Sequence, residues 1–321
     1  MKKPIIKKRF KITLLVLLLV SIFSYVGACT ILYSSNYRLS NYKDEVTKYF
    51  GIDESIFDFS TWNEPHISIT QSYNQKLNKN IKDININLES ANIEIESTDS
   101  NDIGLTYSLS GRQRKVEEFK DSTMKFKETG IALELSLPNE FKNIYNISIT
   151  ILLPKSYTGN LNIKSSNGYI NVRDLTLSRL NLDLNYGDIN LQTIKANDAN
   201  LKASNGHIQS NDSNINNSDI SVNYGDIYVQ GFIGNSNIKS NNGNIETNLS
   251  KLGKNTNIST NNYGEIQFNN IKNLNDYQIL VTGTINSIYY ENKSIDDSSF
   301  SLGNGKNIVN LSTNNGDIIL K

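Results

Sequence analysis

Apolar and polar residues alternate in short runs through the C-terminal half of the chain, from residue 159 to its end. A glycine interrupts each run, and an isoleucine follows two positions later. These isoleucines are Ile170, Ile189, Ile208, Ile227, Ile245, Ile266, Ile285 and Ile318. Alternation with a period of two buries one face of a β-strand, and a glycine after asparagine supplies the positive φ of a tight turn. The pattern therefore predicts pairs of β-strands joined by glycine turns.

The glycine turns recur at intervals of 19, 19, 19, 18, 21, 19 and 33 residues. The turn residues are Gly168, Gly187, Gly206, Gly225, Gly243, Gly264 and Gly316, with a weaker copy at Gly283. One such unit cannot bury its own apolar face, whereas stacked units form a continuous core. We predict an all-β fold in which residues 159–321 form a β-solenoid-like stack of strand–turn–strand repeats. The longest interval predicts an inserted loop from Asp296 to Gly305.

Two kinds of turn alternate along the repeat, Asn-Gly and Asn-Tyr-Gly with a following acid. This alternation favours a true period of about 38 residues, with successive turns on alternating sides of the stack. Three tyrosines would then lie in one file and three acids in another: Tyr186, Tyr224 and Tyr263, and Asp188, Asp226 and Glu265. The files could bind glycan or calcium. The favoured interpretation is turn chemistry, with tyrosines covering neighbouring turns and acids capping backbone amides. The glycine density of calcium-binding repeats is absent.

Two further features concern the repeat and what precedes it. The 36 asparagines between residues 160 and 321 could form side-chain ladders between units. Residues 67–158 alternate less regularly, with a hairpin at residues 126–131, and predict an irregular β capping region, because a solenoid needs atypical terminal units.

The N-terminus carries a basic run and then an uncharged apolar segment. Residues 1–11 contain six basic side chains and no acid, and residues 12–33 are largely apolar. At about 1.5 Å per residue, this segment reaches roughly 33 Å, enough to cross a membrane core of about 30 Å. We expect a cytoplasmic tail, a single transmembrane signal anchor, an extracytoplasmic connector at residues 34–66, and the β region outside the cell membrane.

Two alternatives remain for the same segment. The residues before Cys29, Val-Gly-Ala, resemble the recognition sequence for lipoproteins, so the chain could be lipid-anchored through Cys29. Ordinary secretion with cleavage after Ala28 is the other alternative. All three interpretations place the bulk of the chain outside the cytoplasmic membrane.

Charge and composition limit which partners, metal sites and catalytic sites the chain can have. The chain has 32 basic and 32 acidic side chains, so residues 12–321 keep 26 basic against 32 acidic ones and carry a charge of −6. The net charge of zero argues against electrostatic binding of nucleic acid, and the acidic balance of residues 12–321 argues against simple charge attraction to anionic wall polymers. One cysteine and two histidines, His66 and His207, leave little material for metal sites or catalytic triads. Asp188 and Asp226 could approach each other as a glycosidase pair, but they occupy equivalent turn positions, which repetition alone produces. We predict no catalytic, cofactor-binding or metal-binding residues.

The residues also carry a family resemblance. Ser90-Ala91-Asn92-Ile93-Glu94-Ile95, the strand from Ile147 to Pro154, and the repeated Asn-Gly-x-Ile turns resemble the bacterial "putative adhesin" family, also called domain of unknown function 4097. The resemblance covers roughly residues 80–321. It implies a bacterial envelope protein built of β-repeats, often membrane-anchored and encoded beside cell-envelope stress systems. It offers no catalytic residues to carry over.

Three functions follow as hypotheses. The first is a membrane-anchored, adhesin-like binding or scaffolding module without catalysis, with an envelope polymer or a membrane protein as its partner. The second is an accessory of a cell-envelope stress response that acts through membrane partners. The third is a degenerate glycan-active β-helix enzyme.

Overall fold

The computed structural model describes most of the β region and a short piece of the N-terminal segment. The described residues are 15–26, 65–119, 122–136, 138, 141, 146–269, 276–284, 286–291, 293–295 and 299–321. The chain divides into two compact units, residues 1–65 and 66–321.

In the first unit, residues 15–26 form helix α1, whose side chains are exposed. The rest of the predicted anchor, the basic tail, Cys29 and the connector up to residue 64 lie outside the described residues. Within the part of the chain that is described, no helix is long and apolar enough to cross a membrane.

The second unit consists almost entirely of strands, and this confirms the all-β prediction. The strands are β1 (His66–Lys76), β2 (Asp83–Ser90), β3 (Asn92–Thr98), β4 (Asp102–Arg112), β5 (Lys127–Thr129), β6 (Ala132–Ser136), β7 (Asn146–Pro154), β8 (Asn160–Asn167), β9 (Ile170–Arg173), β10 (Thr176–Tyr186), β11 (Ile189–Gln192), β12 (Lys195–Asn205), β13 (Ile208–Tyr224), β14 (Ile227–Asn242), β15 (Ile245–Leu252), β16 (Asn255–Tyr263), β17 (Ile266–Asn269), β18 (Tyr277–Gly283), β19 (Ser287–Tyr290), β20 (Lys293–Ile295), β21 (Phe300–Leu302), β22 (Asn307–Thr313) and β23 (Asp317–Leu320). One short helix, α2 (Gln113–Glu117), follows β4.

The repeat units stack in parallel with equivalent residues side by side. We call one long strand, its glycine turn and the short strand that follows it a rung. Leu182 of β10 pairs with Leu201 of β12, and Leu201 pairs with Ile220 of β13. All three are at most 1% exposed, because alternation points every second side chain into the interior. Each fully buried aliphatic side chain contributes about 1.5–3 kcal/mol.

Successive turns lie on the same side of the stack. Gly187 donates its backbone N–H to Asn205 (2.8 Å), and Gly206 donates to Tyr224 (2.9 Å), so each turn contacts the next one along the chain. The structural period is therefore one unit of about 19 residues, and the prediction of a 38-residue period is wrong. Asn-Gly and Asn-Tyr-Gly turns alternate along a single file, because all turns share one backbone geometry that accepts either sequence.

A second corner recurs in the rungs, and no Asn-Gly pair marks it in the sequence. Four residues at intervals of 19 have φ between 50° and 123°: Asp174, Thr193, Asp212 and Gly231. Asp174 and Thr193 donate their backbone N–H groups to Gln192 and Asn211 of the following rung. The corner is held by these inter-rung hydrogen bonds, since a left-handed conformation is unfavourable for Thr193 itself.

At the C-terminal end, the spatial order of the rungs departs from the sequence order. Strand β22 pairs with β16 on one side and β18 on the other. Strand β23 likewise lies between β17 and β19. The last rung of the chain is thus inserted between two earlier ones. The predicted loop from Asp296 to Gly305 contains β21, which pairs antiparallel with β18, and residues 296–298 lie outside the described residues.

At the N-terminal end of the stack, too, the spatial order of the strands departs from the sequence order. Strands β2 and β3 pair in register with β8 and β9, and β6 and β7 cover their other side. Strands β4 and β1 then continue the sheet in antiparallel pairing. Residues 67–158 therefore contain one rung that is continuous with the repeat, a parallel layer of β6 and β7 beside it, and antiparallel strands beyond that layer.

Among the ten buried serine and threonine side chains of the described residues, five hydroxyl groups have no hydrogen-bond partner, and Ser210 is one of them. Its side chain is fully buried between Leu191 and Val229, and its Oγ has no hydrogen-bond partner. We expect Ser210→Ala to raise the free energy of unfolding by about 1 kcal/mol, because an unpaired hydroxyl no longer has to be desolvated. Urea unfolding measures this. Ser213→Ala is the matched control and should be destabilising, since the Ser213 Oγ lies 3.1 Å from the Asn211 carbonyl oxygen and 3.3 Å from the Ile194 nitrogen. Equal effects of the two substitutions would contradict this assignment.

Tyr157 connects the capping region to the first strand of the repeat. Its hydroxyl lies 2.6 Å from the carbonyl oxygen of Asn160 and 3.0 Å from that of Lys82. Burial, and then the negative charge of Asp83, raises the pKa of Tyr157 above its ordinary value of 10.0. The neutral hydroxyl therefore stabilises the fold fully below about pH 10, and this stability is lost as the pH rises further.

We expect Tyr157→Phe to be less stable than the wild type by about 1 kcal/mol near neutral pH, because the hydrogen bond is lost. Above about pH 10 the difference should shrink and then reverse, since only the wild type loses stability when the unfolded tyrosine ionises. Urea unfolding of both proteins at about pH 8 and about pH 11 tests this. A difference that stays constant with pH would contradict it.

Candidate binding site

The predicted turn glycines form one file along the stack. For each of Gly187, Gly206, Gly225, Gly243, Gly264 and Gly316, an added Cβ would lie within 2.0 Å of the carbonyl oxygen of the preceding glycine in the file. Gly168, the first, faces the carbonyl of Ala91 in the same way, at 2.1 Å. The φ angles of Gly168, Gly187, Gly206, Gly225, Gly243 and Gly264 run from 117° to 153°. Glycine is therefore required for both its conformation and its lack of a side chain.

The residues directly after the glycines cap the backbone of the next rung. Asp188 Oδ1 accepts the N–H of His207 (2.8 Å), and Asp226 Oδ1 accepts the N–H of Asn244 (2.7 Å). Between them, His207 Nδ1 accepts the N–H of Asp226 (3.0 Å). Asn244 Oδ1 continues the series by accepting the N–H of Glu265 (2.9 Å). Acid, histidine and asparagine thus perform the same turn-capping role.

This file does not bring Asp188 and Asp226 onto adjacent rungs. Asp188 and Asp226 are separated by the rung of His207, and each carboxylate is engaged with a backbone amide. Among the described residues, no group of three or more His, Cys, Asp and Glu side chains could hold a metal ion.

The residues directly before the glycines form the tyrosine file. Tyr186 pairs with Asn205, Asn205 with Tyr224, Tyr224 with Asn242, and Asn242 with Tyr263. The three tyrosines are 59%, 62% and 68% exposed. The edge of the stack therefore presents three exposed aromatic rings that alternate with amide side chains.

The outward side chains of the long strands form a second polar surface, which we call the amide face. Its central file contains Asn85, Asn162, Asn181, Asn200, Asp219, Asn237, Asn257 and Asn310. Several of these amides bond to the next one, as in Asn181 Nδ2 to Asn162 Oδ1 (2.6 Å) and Asn162 Nδ2 to Asn85 Oδ1 (2.9 Å). The asparagine ladders expected from the sequence are thus present.

Two shallow grooves follow the amide face. The first, of about 340 Å³, runs beside Asn162, Lys164 and Asp183, and the second, of about 400 Å³, runs beside Asp198, Asn217 and Asn237. The first groove combines amides with charges of both signs, whereas the charged residues of the second are the acids Asp198 and Asp219. This surface offers hydrogen bonds held in fixed positions and no enclosed reaction chamber.

Comparison with known families agrees with the resemblance seen in the turns. The family model described as Toastrack DUF4097 matches residues 81–321. The chain belongs to the Toastrack family. The match to this Toastrack protein covers the rung formed by β2 and β3 as well as all later rungs.

Solved structures similar to this Toastrack protein are distant from it. One is described as a "putative adhesin" from Bacteroides fragilis, with 16% identity and a TM-score of 0.39 over 79% of this chain and 97% of that one. Another is described as a "putative cell adhesion protein" from Clostridium sporogenes, with 13% identity and a TM-score of 0.29 over 79% and 99% of the two chains. No curated protein matches the Toastrack chain significantly.

Proposed function

We propose that this Toastrack protein is an extracytoplasmic, adhesin-like binding module without catalysis, which recognises its ligand through side chains fixed in files along the stack. The observation that carries the proposal is the in-register ladder on the amide face, where side-chain amides are bonded to one another across rungs. Such side chains lose little conformational entropy when a ligand binds, because they are already ordered.

The absence of catalysis is supported by how the candidate acids are used. Both Asp188 and Asp226 cap backbone amides, and His207 and Asn244 cap them in the same way at equivalent positions, so turn capping accounts for these acids without catalysis. A double variant with Asp188→Asn and Asp226→Asn should leave any release of sugar from cell-wall glycan unchanged from the wild type. Loss of such an activity in the variant would revive the glycan-active enzyme.

We further propose that residues 12–33 anchor the protein in the cytoplasmic membrane, with residues 1–11 inside and the β region outside. The supporting features are the six basic residues before the apolar segment and the absence of charge within it. The alternative anchor is a lipid on Cys29. Metabolic labelling with a fatty-acid analogue, in the wild type and in Cys29→Ala, separates the two. Labelling that disappears in the variant would replace the transmembrane anchor with lipidation.

The binding function has a direct test. Purified full-length protein in a sugar-free detergent should sediment with purified bacterial cell wall or bind immobilised host matrix proteins. The same protein, denatured by heat before mixing, is the control, because it keeps the composition and loses the files. If the folded protein binds neither wall nor matrix above the control, the binding module is disproved.

A further inference from the structure

We propose that the tyrosine file, with Tyr186, Tyr224 and Tyr263, is a docking platform for a linear β-1,4-linked glycan of uncharged or amino sugars. This inference rests on the proposed binding function and gives that function a site and a ligand class. It follows from the spacing of the rings, from the residues between them and from the charge beside them.

The rings are present although the fold does not need them. At the same position before a turn glycine, Asn205 and Asn242 occupy rungs that have the same backbone geometry and the same inter-rung hydrogen bonds. The turn therefore forms equally well with asparagine. The three tyrosines thus expose aromatic rings at regular intervals that the turn does not require, and tyrosine is enriched at binding interfaces.

The spacing of the rings matches an extended glycan. Successive tyrosines are two rungs apart, and parallel strands lie about 4.8 Å apart, so the rings recur at about 9.6 Å. In a β-1,4-linked chain, each sugar is rotated by about half a turn relative to its neighbour. The same ring face therefore returns once per disaccharide, a length close to the separation of the tyrosines. One glycan chain could place every second sugar on a tyrosine.

The residues between the tyrosines suit the remaining sugars. Asn205 and Asn242 lie opposite the sugars that do not stack, and their amides can donate to and accept from hydroxyl or N-acetyl groups. Tyrosine combines an apolar ring face, which packs on the C–H groups of a sugar, with a polar hydroxyl at its edge. Stacking and hydrogen bonding would thus alternate along the ligand as they alternate along the file.

The local charge selects among such glycans. The file itself is uncharged, and the adjacent turn file contains Asp188 and Asp226, both exposed, and Glu265. These carboxylates disfavour uronic-acid polymers and favour neutral sugars or protonated amino sugars. The mixed charges of Lys164, Asp183 and Lys202 make the amide face less suited to an uncharged chain.

The test measures binding of short glycans to the full-length protein by calorimetry in a sugar-free detergent. We expect the β-1,4-linked hexamers of N-acetylglucosamine and glucose to bind. Their relative affinities distinguish an amino-sugar source, such as cell wall or chitin, from a cellulose-like source. We expect no binding of the α-1,4-linked glucose hexamer or of the β-1,4-linked mannuronic acid hexamer. Binding of these two controls as tightly as the first pair would overturn the proposed ligand class.

Two kinds of variant test the site. Each single substitution, Tyr186→Ala, Tyr224→Ala or Tyr263→Ala, should weaken binding about three- to tenfold, whereas Tyr228→Ala, in the short-strand part of β14, should not. The double variant Asn205→Tyr with Tyr224→Asn keeps the composition but moves one ring by one rung. It should bind as weakly as Tyr224→Ala. Wild-type affinity in this double variant would overturn the spacing argument.

The failure of this inference is distinguishable from failure of the proposed function. If the protein sediments with cell wall and the triple Tyr→Ala variant does so equally well, the tyrosine platform is wrong and the binding module stands. If the tyrosines are needed for binding to a matrix protein and no hexamer binds, the glycan is wrong and the module again stands. If the wild type binds neither wall nor matrix and no hexamer, both proposals fail.

Discussion

Gly187→Ala should lower the free energy of unfolding by about 3 to 5 kcal/mol, because it combines an unfavourable backbone conformation with a steric clash. The new Cβ would lie 1.7 Å from the carbonyl oxygen of Gly168, and the φ of Gly187 is +125°. The clash is with backbone, so no side-chain rotation can relieve it. The turn would have to move away from its neighbour, and this would disturb the rungs on both sides. Equilibrium urea unfolding followed by circular dichroism measures the loss.

Gly130→Ala is the matched control. Gly130 also has a positive φ, +62°, but an added Cβ there meets nothing within 4 Å. This substitution should cost only the conformational penalty of about 1 to 2 kcal/mol. If the two variants lose the same stability, close stacking of the turns is not what requires glycine at residue 187.

Removal of residues 307–321 should detach the rung that β18 and β19 form. The deletion takes away β22 and β23, which lie between this rung and the rung of β16 and β17. Four buried apolar side chains are lost with it: Val309, Leu311, Ile318 and Leu320. At about 1.5–3 kcal/mol each, the lost burial is about 6 to 12 kcal/mol, comparable to the whole stability of a typical domain.

Hydrogen exchange followed by mass spectrometry measures the result. Amides of β18 should exchange rapidly in the truncated protein, whereas those of β10 and β12 should stay protected, because each rung contacts only its neighbours. A peptide of residues 307–321 added in trans should restore protection to β18, and the same peptide with Leu311→Asp should not. Full protection of β18 in the truncated protein without peptide would contradict the inserted position of β22.

The repeated part of the fold could be predicted because each of its requirements leaves a mark in the sequence. A turn glycine must be glycine, and an interior position such as Leu182, Leu201 or Ile220 must be apolar. These demands recur every rung and are visible as a period near 19. The asparagine ladders are predictable for the same reason, since amide residues recur at equivalent positions.

The second corner could not be predicted, because inter-rung hydrogen bonds, and not a particular residue type, hold its positive φ. Asp174, Thr193 and Asp212 share a positive φ but no residue type that signals it. Only Gly231, the fourth member of the series, carries a glycine, and it has no asparagine before it. A shared interval of 19 was the one signal available.

The order of the rungs in space was also hidden from the sequence. Periodicity shows which residues are equivalent but does not say which units touch. Gly316 packs on Gly264, and Gly283 packs on Thr313, so the chain passes over one position and returns to fill it. The interval of 33 residues before Gly316 was the trace of this return, because the chain needs that length to come back. The exposure of the tyrosines was missed likewise, since an Asn-Tyr-Gly turn does not show where its ring points.

The amide face and the tyrosine platform both depend on straight files of equivalent residues, and a pair of electron-spin distances tests these files most directly. Asn167 and either Asn242 or Asn315 are replaced by cysteine in a full-length protein that carries Cys29→Ser. Each new cysteine is then labelled with a nitroxide. Asn242 lies four rungs from Asn167, and Asn315 lies six, because Gly264 donates its N–H to Asn315. At about 4.8 Å per rung, we expect separations of about 19 Å and about 29 Å between the labelled backbones. Turns on alternating sides, or a last rung at the end of the stack and thus about 5 Å farther away, would contradict the stacked files.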